Sequence, residues 1–127
     1  MAPDIIWNVH DFQFDPSRPL YEQFVEQIRA MIAKGQLAPG TRLPSVRETA
    51  ASFRVNPTTV MKAYQELERL RLTVTHRGQG TFVTYEEEAI RQSRRELARG
   101  AVRRMEELAA SIGLTLEELI ALAKEED

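Results

Sequence analysis

Seven side chains able to hold an anion or the edge of a nucleic-acid base fall within one short run: Ser45, Arg47, Asn56, Thr58, Thr59, Lys62 and Arg77. A guanidinium such as that of Arg47 presents a planar fork of donors matching O6 and N7 of guanine, or two oxygens of a phosphate. Asn56, Thr58 and Thr59 precede an apolar periodicity, where a helix would expose its first backbone N–H groups and the positive end of its dipole, a setting that favours phosphate. Lys62 follows Thr58 by one helical turn and is placed to meet a phosphate backbone. Ser45 can donate to phosphate, although a capping role alone accounts for it. Bond-making chemistry finds little support. Neither a Gly-rich phosphate loop, a nucleophile elbow nor an isolated pair of acids occurs, so the chain reads as a non-enzyme without a cofactor. His10 and His76 fit no helical H-x-x-x-H or E-x-x-H pattern, and without cysteine no metal site is indicated.

The elements that must position these residues can be read from caps and periodicity. Ser45 with Glu48 makes a capping box, so a helix begins there and runs to about Phe53. Asn56 caps a second helix with Pro57 at its first position, where the missing N–H costs nothing; it extends to about Leu70. The few residues between Phe53 and Asn56 must turn the chain sharply, the geometry of a helix-turn-helix whose second member can enter a major groove. An earlier helix, Ser17 to Lys34, carries Leu20, Tyr21, Phe24, Val25, Ile28, Met31 and Ile32 on one face, with Gly35 as its stop and Pro39-Gly40 as the following turn. Leu72 to Thr75 and Thr81 to Val83 alternate as strands around Arg77-Gly78-Gln79-Gly80, a β-hairpin wing. Residues 4 to 14, with Phe12 and Phe14 alternating, suggest a short strand or extended arm.

The tail differs in composition. Ile90, Leu97, Ala101, Met105, Leu108 and Ile112 step by seven, four, four, three and four, an amphipathic stripe on one long helix from Glu86. Gly113 stops it, and Thr115 with Glu118 caps a final helix bearing Leu116, Leu119, Ile120 and Leu122. Two helices cannot enclose a core, so these apolar faces need a partner; a second copy of the chain is the simplest one, and the alternative is that the tail folds back on its own winged domain. The fold class is therefore mainly α with a small β wing. Residues 1–84 form a winged helix-turn-helix domain and residues 85–127 a helical dimerisation domain.

The net charge of −2 is unevenly distributed. Residues 42 to 81 hold seven Lys and Arg against three acids, and residues 85 to 127 hold seven against eleven, so a net +4 faces a net −4. No apolar run approaches a bilayer span and no cysteine is present, which points to a cytoplasmic chain without a membrane partner.

The motifs resemble those of the GntR family of bacterial transcription regulators. The resemblance rests on Pro19-Leu20-Tyr21 with Gln23, Leu37-Ala38-Pro39-Gly40 and Leu43 to Glu48, Val55 to Val60, and Arg77 to Val83. The Asn56-Pro57 start and the short two-helix tail are most similar to the YtrA-type branch, whose members are small dimeric repressors, often of transporter operons. The resemblance implies DNA contacts for Arg47, Thr58 and Asn56, with Arg77 and Gly78 of the wing reaching the groove. One departure stands out: Arg71 occupies the position where the family usually places Gly. A positive φ there would strain Arg71 by about 1 kcal/mol; otherwise the turn or the wing angle must differ.

Together these readings give a sequence-specific DNA-binding regulator, a homodimeric repressor of an inverted-repeat operator. The alternative is a winged-helix protein-interaction module. No polar cluster marks a site for a small-molecule effector.

Overall fold

The structure, a computed structural model, describes residues 4–127. Its elements are α1 (Leu20–Ala33), α2 (Val46–Phe53), α3 (Pro57–Arg69), β1 (Thr73–His76), β2 (Gly80–Val83), α4 (Glu87–Ser111) and α5 (Leu116–Ala123). Two compact units divide the chain, one ending at Ser93 and the other running from Arg94 to Asp127.

In the first unit α1 packs on α3 and α2 on α3, which produces the expected helix-turn-helix. Phe24 and Ile28 of α1, Ala50 of α2, Val60, Ala63 and Leu67 of α3, and Leu72 and Val83 of the wing are buried together. These are the positions at which the three- and four-residue spacing of each helix meets the alternation of the wing. The start of α4 also belongs here: Ile90 packs on this core, and Arg29 Nε donates to Ser93 Oγ at 2.7 Å.

The amino-terminal arm is not a strand. Apart from an isolated bridge between Asp4 and Arg42, it is irregular and contains a 3-10 turn, Val9–Asp11, capped by Asn8. Two glutamines one turn apart on α1 explain why. Gln23 accepts from the Asp15 N–H at 2.6 Å and donates to the Asp15 carbonyl at 2.8 Å, while Gln27 does the same for Gln13 at 2.9 and 2.6 Å. Side-chain amides thus take the place of a neighbouring strand, since a helical turn and two extended residues advance by similar distances. Phe12 and Phe14 then face Phe24 and Phe53, with ring centroids 4.8 to 6.0 Å apart.

The wing has a third member beyond the two expected strands. β1 and β2 pair antiparallel, with Thr73 opposite Val83 and His76 opposite Gly80. Residues 40 to 43 add to the free edge of β2: Gly40 N–H donates to Val83 O, Val83 N–H to Thr41 O and Leu43 N–H to Thr81 O, each at 2.8 Å. The Pro39-Gly40 turn therefore feeds a short edge segment before α2 begins. Gly40 has φ +83, and a Cβ there would lie 2.0 Å from the Tyr85 hydroxyl, so no other residue fits without displacing that ring.

Three helices end in one motif. After α2, Arg54 N–H donates to Ala51 O and Val55 N–H to Ala50 O; after α3, Arg71 N–H donates to Glu68 O and Leu72 N–H to Leu67 O; after α4, Gly113 N–H donates to Ala110 O and Leu114 N–H to Ala109 O. This Schellman pairing needs a left-handed residue at its centre. Arg54, Arg71 and Gly113 supply it with φ of +56, +64 and +78. Arg71 thus takes the left-handed turn that glycine would enter freely, at the cost of strain rather than by a changed path.

A buried line of hydrogen bonds ties α2 to α3. Trp7 Nε1 donates to Thr49 Oγ1 at 2.8 Å, Thr49 Oγ1 lies 3.0 Å from the Tyr64 hydroxyl, and that hydroxyl donates to the Pro44 carbonyl at 2.7 Å. An indole can only donate and a carbonyl can only accept, so Thr49 must donate to Tyr64 and every proton is assigned. Desolvation by burial pushes the Tyr64 phenol up to about 12 from an ordinary 10.0.

Tyr64→Phe leaves the Pro44 carbonyl without a donor and the Thr49 hydroxyl proton without an acceptor, and is expected to cost ~1–3 kcal/mol in denaturant melts. Between pH 10 and about 12 the unfolded chain binds fewer protons at Tyr64 than the folded one, so stability falls as pH rises through that window. The Phe variant should lack this step in alkaline titrations of stability. At Arg71 relief of left-handed strain outweighs the loss of its exposed pair with Glu86. Arg71→Gly should raise the unfolding midpoint by up to ~1 kcal/mol equivalent, while the β-branched Arg71→Val should lower it by ~1–2 kcal/mol.

Candidate nucleic-acid interface

Pro44 immediately precedes Ser45, so the Tyr64 bond to its carbonyl fastens the start of α2 directly to α3. Ser45 caps α2: its hydroxyl accepts from Glu48 N–H at 3.0 Å and its own N–H donates to the Glu48 carboxylate at 3.3 Å. Arg47, second in that helix, is exposed and makes no ion pair among the described residues. Asn56 caps α3 by accepting from Thr58 N–H at 2.8 Å. Thr58 is exposed and Thr59 half-buried. At α2 the cap leaves the first N–H groups, those of Val46 and Arg47, outside its bonds, whereas at α3 Pro57 has no N–H and Thr58 and Thr59 both donate to Asn56, so α3 offers an anion the positive end of its dipole and its threonine hydroxyls.

Along α3, Val60, Ala63, Tyr64 and Leu67 are buried, so Thr58, Met61, Lys62 and Gln65 share the outward face. Met61, 47% exposed, and Gln65 were not singled out from the sequence, although their spacing from Thr58 and Lys62 was the available signal. A glutamine amide can pair with adenine and an apolar side chain can meet a thymine methyl. Lys62 Nζ rests 4.0 Å from the centroid of the Tyr21 ring, a cation–π contact worth ~0.5–1 kcal/mol at an exposed site. A phosphate can therefore compete for this ammonium. Arg69 is engaged by Glu66, whose carboxyl the Arg69 hydrogen bond holds below the usual range.

The wing carries Arg77 and Gly78 at its exposed tip, where Gln79 N–H donates to His76 O at 2.9 Å and Gly78 takes φ +78. Glu68 of α3 accepts from Thr75 N–H at 2.9 Å, bracing β1 against the end of the helix. Arg42, also not singled out, lies across Gly80: a Cβ at that glycine would stand 2.8 Å from Arg42 Nε. Arg42 is exposed on the edge segment of the wing, with a guanidinium nitrogen 3.7 Å from the Asp4 carboxylate.

Of the tail residues expected to meet a partner, Ile90 is instead taken up by the core of the first unit. Within the second unit Leu97, Leu116 and Leu119 are half-buried, and Ala101, Met105, Leu108, Ile112 and Ile120 are exposed. Val102 and Leu122 add to that apolar surface, and Ala109 is the buried residue among those described there.

Residues 20–83 match the model of the bacterial regulatory proteins of the gntR family. The chain is 42% identical to the HTH-type transcriptional regulator YhcF of Bacillus subtilis, covering 87% of this chain and 91% of that protein. It is 49% identical to the HTH-type transcriptional repressor YtrA of the same organism over 57% of each chain. Among solved structures, a GntR family transcriptional regulator from Listeria monocytogenes superposes with a TM-score of 0.81 at 35% identity, covering 90% of this chain and all of the other.

Proposed function

The chain belongs to the gntR family of bacterial regulatory proteins and is a DNA-binding transcription regulator, and we propose that it acts as a homodimeric repressor on an inverted-repeat operator in the cytoplasm. The observation that carries this reading is the fastening of two capped helix starts through Pro44 and Tyr64, with Arg47, Thr58 and Lys62 all exposed. Residues 1–84 would bind DNA and residues 85–127 would pair the copies. Arg47 reads a guanine or clamps a phosphate, Ser45, Asn56, Thr58 and Thr59 hold phosphate at the two helix starts, and Lys62 leaves the Tyr21 ring for the backbone. Arg77 and Gly78 follow the duplex beyond the major groove. Met61 and Gln65 join the base-facing set on α3, and Arg42 adds a cation beside the wing. Repression follows from occupying promoter DNA that polymerase needs.

Selection of bound sequences from random DNA with purified protein should return two half-sites in inverted orientation, about 34 Å apart from centre to centre. Recovery of no preferred sequence would favour the protein-interaction alternative. Arg47→Ala should weaken operator binding by ~1–3 kcal/mol at fixed salt. An unaltered titration would remove Arg47 from the interface. Deleting residues 94–127, the second unit, should abolish tight operator binding and leave a species that sediments as a monomer; a truncated chain that still sediments as a dimer with unchanged affinity would refute dimerisation through the tail.

A further inference from the structure

The second unit leaves an apolar face uncovered: Val102, Met105, Leu108, Ile112, Ile120 and Leu122 are each at least 41% exposed. Charge along the same unit and the helix leading into it is sharply divided. Residues 89–105 contain six arginines and one acid, a net +5, whereas residues 106–127 contain seven acids and one lysine, a net −6. Arg94, Arg99, Arg103 and Arg104 on one side of that division, and Glu106, Glu107 and Glu117 on the other, form no ion pair among the described residues. Arg94 stands four residues before Ala98, and Arg104 three after Ala101 and four before Leu108, so helical spacing sets both on the apolar side of α4.

We propose that a second copy covers this face with its α4 running antiparallel, so that the arginine half of each helix meets the acidic half and α5 of the other. This rests on the homodimer proposed above and adds its direction and its electrostatic lock. A parallel arrangement would set +5 beside +5; the antiparallel one matches opposite signs twice, once on each side of the twofold axis. Placing Ala101 opposite Met105 packs small against large. It also brings Arg94 level with the other copy's Ile112, just ahead of the acidic α5, and leaves Arg104 about a turn and a half from its Glu107. A duplex is a poorer occupant, because the same surface carries the seven acids that phosphates would repel.

The test uses full-length chains in sedimentation equilibrium at low salt, with circular dichroism to verify helix content. R94E/R104E and E107K/E117K should each weaken self-association by about tenfold or more, and a 1:1 mixture should restore dimers. Wild-type dimers should loosen as salt rises. Folded R94E/R104E that still dimerises like the wild type would overturn the lock while leaving the homodimer standing. A mixture that stays monomeric would overturn it as well. Lost operator affinity with intact self-association would assign these arginines to phosphate instead. A wild-type chain that is monomeric at concentrations that saturate operator DNA would remove the homodimer itself.

Discussion

The Tyr64 hydroxyl is the joint on which the relative placement of α2 and α3 depends. It donates to the carbonyl that ends the approach to α2 and accepts from a threonine in the middle of that helix, while its own ring is part of α3. Apolar packing between two short helices tolerates sliding, because dispersion is weakly directional. A buried hydrogen bond does not, since lost geometry means an unsatisfied group away from water. Trp7 closes the line from the arm, so the segment ahead of α1 also takes part in fixing the angle between α2 and α3.

Placement and composition then divide the labour within the winged unit. Exposed positions carry Arg47, Thr58, Lys62, Gln65 and Arg77, and the side chains that hold the unit together are mostly uncharged. Glu68 is an exception, spending its carboxylate on a wing amide rather than on solvent. That contact braces the hairpin against α3 without occupying any of the exposed cations Arg47, Lys62 and Arg77.

Much of the fold was legible because caps and periodicity are local. Ser45 with Glu48, Asn56 with Pro57, and Thr115 with Glu118 each announce a helix start through bonds made within four residues, and all three form. What escaped the sequence depends on distant partners. The arm reads as a short strand or an extended segment because Phe12 and Phe14 alternate, and of these the strand is absent because its backbone partners are glutamine side chains on α1. The edge segment at residues 40–43 has too few residues to show a period. Arg54 and Arg71 sit in left-handed turns that a sequence usually signals with glycine. At the proposed interface, the helix-start residues stand out in the sequence by their types, and Met61, Gln65 and Arg42 do not, because exposure on a given face emerges only after packing.

The glutamine anchoring of the arm has a consequence for behaviour in salt. Gln23 and Gln27 bind the chain through neutral amides, and the line from Trp7 to Pro44 is likewise uncharged, so counterions have little to screen within these seams. The outward cations have no such immunity. Concentrated electrolyte should strip the molecule from a polyanion while its interior stays assembled, making release and unfolding separable events.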